Sequence, residues 1–244
     1  MKLNDGINIK DEKIYSFLMI GQSNMAGRGE FFDLPPIKNP DCYMLKNGRW
    51  QPMREPVNVD RYVLPEDGDF HSGCGLAPAF ADEMARNEGR KIGLIPCADG
   101  GTGMWQWQPG EVLFDHAVMQ AKLAQRSSEI IGILWHQGES DCRGDEKVAL
   151  YKERFLKMAR ALRAELGELP IIIGELAWNI DQRWEVGDRV AKLNAIFHEI
   201  ADELPLCAVA SSEGLRLKKD GIHFNTESLR IFGKRYYECY KNLK

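Results

Sequence analysis

The stretch Ile14-Tyr15-Ser16-Phe17-Leu18-Met19-Ile20-Gly21-Gln22-Ser23-Asn24-Met25 decides how this chain is read. A largely apolar run ends in a glycine turn and three polar residues. A strand that is apolar on both faces must be covered on both sides, which is the condition of a parallel sheet between helices. Four further runs of this kind follow, at 91–96, 130–135, 170–175 and 206–210. Segments of helical period separate them, at 76–87, 113–125, 147–166 and 188–204, and another closes the chain at 227–240. The third of these carries Val148, Tyr151, Phe155, Met158, Leu162 and Leu166 at steps of three or four, a single apolar stripe. Val190, Leu193, Phe197, Ile200 and Leu204 repeat it in the fourth.

Strands alternating with single helices imply βαβ units, right-handed crossovers and a parallel sheet. The expectation is one three-layer α/β/α domain spanning 1–244, with a flavodoxin-like, doubly wound sheet of five strands. Two segments interrupt the rhythm. Residues 30–72 hold Pro35, Pro36, Pro40, Pro52, Pro56 and Pro65 and read as a long loop insertion, either functional or hiding small elements. The shorter 99–111 carries Trp105 and Trp107. Both follow strands, so both belong at the carboxyl edge of the sheet, where open α/β folds bind ligands.

Composition narrows the function. Of 244 residues, 44% are hydrophobic and 28% charged, and 36 acidic against 32 basic side chains leave a net charge of −4. That balance opposes a nucleic-acid partner or an anionic membrane surface. The apolar runs are too short to span a bilayer, and residues 1–13 lack the apolar core of a signal peptide. Six cysteines, at 42, 74, 97, 142, 207 and 239, keep no repeating interval and read as reduced thiols in a cytoplasmic protein. Neither a zinc-type ligand set nor a phosphate-binding fingerprint is present, so no metal and no cofactor are expected.

Four strand ends carry the polar residues. Gly21-Gln22-Ser23-Asn24-Met25 presents a serine hydroxyl above the sheet, although Met25 departs from the Gly-x-Ser-x-Gly elbow. Ala98-Asp99-Gly100-Gly101-Thr102-Gly103 frees backbone N–H groups to face a ligand. Trp135-His136-Gln137-Gly138-Glu139-Ser140-Asp141 places polar side chains at the rim of the core. Lys219-Asp220-Gly221-Ile222-His223-Phe224-Asn225 sets a carboxylate and an imidazole three residues apart, close enough to fold back on one another. Each alone has an ordinary explanation as a cap or turn. Together they converge, because a parallel sheet gathers all its carboxyl ends on one edge. They supply a nucleophile, oxyanion donors, a base and an orienting acid, the parts of an acyl-transfer site.

In order and spacing this set resembles the SGNH hydrolase superfamily and its carbohydrate-esterase branch, which includes acetyl xylan esterases and sialate O-acetylesterase-like proteins. The resemblance implies Ser23 as nucleophile, His223 as base and Asp220 as its partner. It implies an oxyanion hole from the amides of Ser23 and Gly100, with Gly101 as the other glycine available. The broader superfamily has Gly-Asp-Ser in the first block and an Asn donor in the third. Here Gln22 and Gln137 stand in those blocks, and the donor role is carried to Gln137. His136, Glu139, Trp105 and Trp107 are candidates for binding the sugar, Trp105 and Trp107 having core packing as the rival. The implied activity is removal of O-acetyl groups from an oligosaccharide or sialate-type ester. An esterase or thioesterase for non-sugar acyl chains, and a non-catalytic carbohydrate-binding protein, stay open as alternatives.

Overall fold

The computed structural model describes residues 13–58 and 72–243; the remainder of the 30–72 insertion and residues 1–12 lie outside the described residues. The five apolar runs form β1 (Ile14–Gly21), β4 (Lys91–Pro96), β5 (Ser128–His136), β6 (Ile171–Gly174) and β7 (Cys207–Ala210), all parallel. The helical segments form α2 (Ala77–Glu88), α3 (Val112–Ala124), α4 (Asp145–Leu166), α5 (Arg189–Glu203) and α6 (Thr226–Asn242). A single turn of helix, α1 (Ser23–Ala26), follows β1 directly. Helices α2 and α6 pack together on one side, and α3, α4 and α5 form the other layer. Every residue of the two apolar stripes read on α4 and α5 is buried.

The sheet has seven strands rather than five, in the order β3-β2-β4-β1-β5-β6-β7. The additional pair, β2 (Cys42–Lys46) and β3 (Arg49–Pro52), lies inside the segment read as a loop. β2 runs parallel to β4 and buries Cys42, Tyr43, Met44 and Leu45, while β3 returns antiparallel at the sheet edge. Proline is compatible with such a margin, since an edge strand leaves one row of N–H groups unused. The turn between them is Asn47-Gly48, both at positive φ (51° and 71°), the signature of a tight hairpin.

Without that pair, the parallel strands keep the flavodoxin-like order, with β1 flanked by β4 and β5. The strand order reverses at β1, so a crevice opens above its carboxyl end. Gly21 makes this opening tight. Its φ is +128°, and a Cβ built on it would lie 2.1 Å from the carbonyl oxygen of His136 at the end of β5. The Gln22 N–H donates to that same oxygen at 2.8 Å. Among the described residues no helix is long and apolar enough to cross a membrane.

Gly21→Ala should therefore cost at least about 3 kcal/mol, combining a disfavoured φ with a backbone clash. Denaturant unfolding measures it, and a loss below about 1 kcal/mol would mean that β1 and β5 can separate without consequence.

Candidate active site

The turn after β1 delivers Ser23 to the crevice, and its Oγ lies 2.9 Å from Nε2 of His223. The other ring nitrogen, Nδ1, lies 2.9 Å from Oδ2 of Asp220. Asp220 uses its second oxygen to accept the N–H groups of Ile222 and His223, both at 3.0 Å. A carboxylate against Nδ1 keeps the proton there and leaves the Nε2 lone pair facing the serine hydroxyl. Burial alone would raise the Asp220 carboxyl. The His223 and Ile222 amides and the imidazole outweigh it, so its pKa falls below the usual value.

The loop carrying His223 is pinned by Asn24, a buried residue beside Ser23. Its Oδ1 accepts the Phe224 N–H at 3.1 Å, and its Nδ2 donates to the Ile222 carbonyl at 3.2 Å and to Oε1 of Glu139 at 2.5 Å. Leu217 pairs with Phe224 across the base of the loop.

Gly100 closes the crevice from the end of β4. A Cβ on it would meet the Ser23 Cβ at 3.6 Å and the Arg28 guanidinium at 2.6 Å, so its backbone passes directly beside the serine. Among the described residues, the Ser23 and Gly100 N–H groups do not donate in the backbone hydrogen bonds of these turns, and neither does that of Gly101. Two backbone donors beside a serine hydroxyl can stabilise a developing oxyanion.

Gln137, expected as the side-chain donor, is turned away from this point. It is fully buried, and its Nε2 is taken by Oδ2 of Asp141 (2.6 Å), the Thr102 carbonyl (2.9 Å) and Oε1 of Gln22 (3.2 Å). Its own Oε1 accepts the Tyr151 hydroxyl at 2.9 Å. Burial raises the Asp141 carboxyl, while the hydrogen bonds from Gln137 and the Met104 amide act against that rise. The carboxamide at the crevice is Gln22. Its Oε1 is held by Gln137, Gly138 N and Ser140 N, and among the described residues no acceptor meets its Nε2.

A cavity of about 280 Å³ opens over Ser23 and His223, bordered by Gln22, Gly100, Gly101 and Glu139. Of the four side chains expected to bind sugar, only Glu139 reaches it. His136 is buried, its Nε2 facing the Glu175 carbonyl at 3.2 Å and its ring edge-on to Phe224 and Phe232. Burial lowers its pKa, against the pull of Glu139 3.6 Å away. Trp107 is buried in the core, bonded to Thr102 Oγ1 and set edge-to-face with Trp135. Trp105 is about half exposed and does not border the cavity. Arg28, Arg143 and Trp184, which no motif marks, do border it. Among the described residues no cluster of three or more His, Cys, Asp or Glu could hold a metal ion, and the six cysteines are free thiols.

A family model described as carbohydrate esterase, sialic acid-specific acetylesterase, matches residues 13–242. A probable carbohydrate esterase of Arabidopsis thaliana is 30% identical over 247 residues, covering 92% of this chain and 89% of that protein. The crystal structure of an Arabidopsis thaliana protein superposes with a TM-score of 0.82 at 27% identity, covering 95% and 98% of the two chains. The structure of NanS gives 0.73 at 17% identity, covering 95% and 97%, a likeness of fold.

The lowered Asp220 pKa sets a pH dependence. A carboxylate stabilised by folding contributes fully above its unfolded value of about 3.9 and loses that contribution as pH falls through the folded one. The stability that the Asp220 carboxylate adds over Asp220→Asn should be larger at about pH 5 than at about pH 3, shrinking as pH falls below about 4. A difference that persists undiminished at pH 3 would contradict this, with denaturant midpoints as the measurement.

Proposed function

The chain belongs to the carbohydrate esterase family of sialic acid-specific acetylesterases, and on that premise we propose that it removes O-acetyl groups from sugars through an acetyl-enzyme on Ser23. One observation carries this reading, the unbroken line Asp220–His223–Ser23 at the floor of a cavity. His223 takes the hydroxyl proton at Nε2 as Ser23 Oγ attacks the acetyl carbonyl. The oxyanion so formed is held by the Ser23 and Gly100 amides, with Gln22 Nε2 in the role first given to Gln137. Collapse of the intermediate expels the sugar oxygen, which takes the proton back from His223. Water then gives a proton to His223 as it attacks the acetyl carbon, and collapse breaks the bond to Ser23 Oγ, which takes that proton back as acetic acid leaves. Asp220 keeps the imidazole in the required tautomer and stabilises the imidazolium.

The cavity walls bear on the substrate. Arg143 is exposed at the border, Arg28 and Glu139 face the same space, and the apolar side chains there are Trp184 and Ile222. Guanidinium groups favour a sugar that carries a carboxylate, so a sialate-type ester fits better than a neutral xylo-oligosaccharide. One esterase domain suffices for all of this, since loops following each of β1, β4, β5, β6 and β7 contribute to the cavity.

Ser23→Ala should keep the parental unfolding curve and lose all but about 10⁻³ of esterase turnover. Gln22→Ala should lower kcat by about 10²–10³ with KM little changed. Steady-state kinetics on acetylated sialic acid, acetylated xylo-oligosaccharide and an octanoyl ester check both variants and the preference. Residual turnover by pure Ser23→Ala, or an octanoyl ester preferred over both sugars, would sink the reading.

A further inference from the structure

The segment after β6 grips the loop that carries Asp220 at three successive carbonyl groups. Arg183 Nη2 donates to the Lys219 carbonyl at 2.6 Å, Trp184 Nε1 to that of Asp220 at 2.9 Å, and the Asp181 amide to that of Gly221 at 2.8 Å. The segment is itself fixed, because Asp181 Oδ1 accepts the Arg183 N–H and caps the short 3₁₀ turn Gln182–Trp184. Asp181 also packs so close to Gly221 that a Cβ there would meet its own Cβ at 2.4 Å. Of these three gripping residues, Trp184 alone also borders the cavity, facing the same space as Ser23 and His223.

An indole tethered by its N–H loses little freedom when a ligand lands on it. Its broad apolar surface suits the C–H face of a pyranose ring, and its polar edge is already satisfied. Trp178 and Trp105, both about half exposed, lie outside this cavity. We propose that Trp184 is the sugar-ring subsite of this esterase, and that its Nε1–H makes it a positioning residue for Asp220. The ring that receives the sugar thus also braces the backbone of the residue whose carboxylate orients His223. The proposal rests on the esterase reading and adds to it where the sugar sits.

Two variants and two esters separate the two roles. Trp184→Phe keeps an aromatic face but loses the bond to Asp220. It should lower kcat about fivefold on both O-acetylated N-acetylneuraminic acid and the sugar-free p-nitrophenyl acetate, with KM for the sugar ester near the parental value. Trp184→Ala should add a rise of about tenfold in KM for the sugar ester and leave that for p-nitrophenyl acetate near the parental value. Equal KM rises on both esters, or a parental KM of Trp184→Ala on the sugar ester, would overturn the subsite. An unchanged kcat in Trp184→Phe would overturn the positioning role. Should Trp184→Ala fail to fold, free N-acetylneuraminic acid should still perturb the intrinsic fluorescence of the parent, and less so that of Trp184→Phe. No perturbation of the parent, or an equal one in both, would overturn the subsite. Failure of the acetyl-enzyme reading appears separately, as turnover by Ser23→Ala, and leaves the comparison between esters intact.

Discussion

Ser23 and His223 are 200 residues apart in sequence, and a buried carboxamide between them keeps their side chains at 2.9 Å. Asn24 follows the serine in the turn after β1 and holds the histidine loop by both of its polar atoms, one bond to Phe224 and one to Ile222. Glu139, at the end of β5, anchors the same amide. The start, middle and end of the chain thus meet at one side chain with no access to water. A hydrogen-bonded network in such surroundings is rigid when satisfied and costly when broken, so the alignment of serine and imidazole is built into folding. Gly21 makes the meeting geometrically feasible, because its missing Cβ lets the end of β1 lie against the backbone of His136.

The layered architecture was legible in the sequence because burial on both faces leaves strands with no polar side. All five runs of that kind became parallel strands, and the apolar stripes on α4 and α5 are buried throughout. The β2–β3 hairpin was hidden by its surroundings. Pro40 and Pro52 sit at its ends and outweighed a short apolar run, Cys42–Leu45, that only β4 makes sense of. A local signal was present nonetheless, since Asn47-Gly48 is a strong short-range hairpin cue and the residues on either side pair in register.

The candidate site divides in a similar way. Topology alone brings Ser23, Gly100, Asp220 and His223 to one edge, so their convergence follows from the order of strands. Which way a side chain turns at that edge does not. Gln137 occupies the expected position at the end of β5, but Asp141, Thr102 and Tyr151 draw its amide into the protein, and Gln22 stands at the crevice in its place. His136, the last residue of β5, and Trp107 are likewise buried. Arg143 and Trp184 were missed because a border residue needs no motif. Their place depends on short 3₁₀ turns at Asp141–Arg143 and Gln182–Trp184, which leave no period in the sequence.

The chemistry proposed for this site depends on a single atom, Ser23 Oγ, being made nucleophilic by a neutral imidazole that Asp220 orients. A fluorophosphonate reports on that atom directly, since it bonds to an activated serine and needs no turnover to leave its mark. The measurement is the esterase activity of the parent protein against the fraction of Ser23 modified, read by mass spectrometry of the digested chain. Activity falling in proportion to modification of Ser23 is the predicted result. Activity that survives full modification of Ser23, or vanishes while Ser23 stays unmodified, would contradict it.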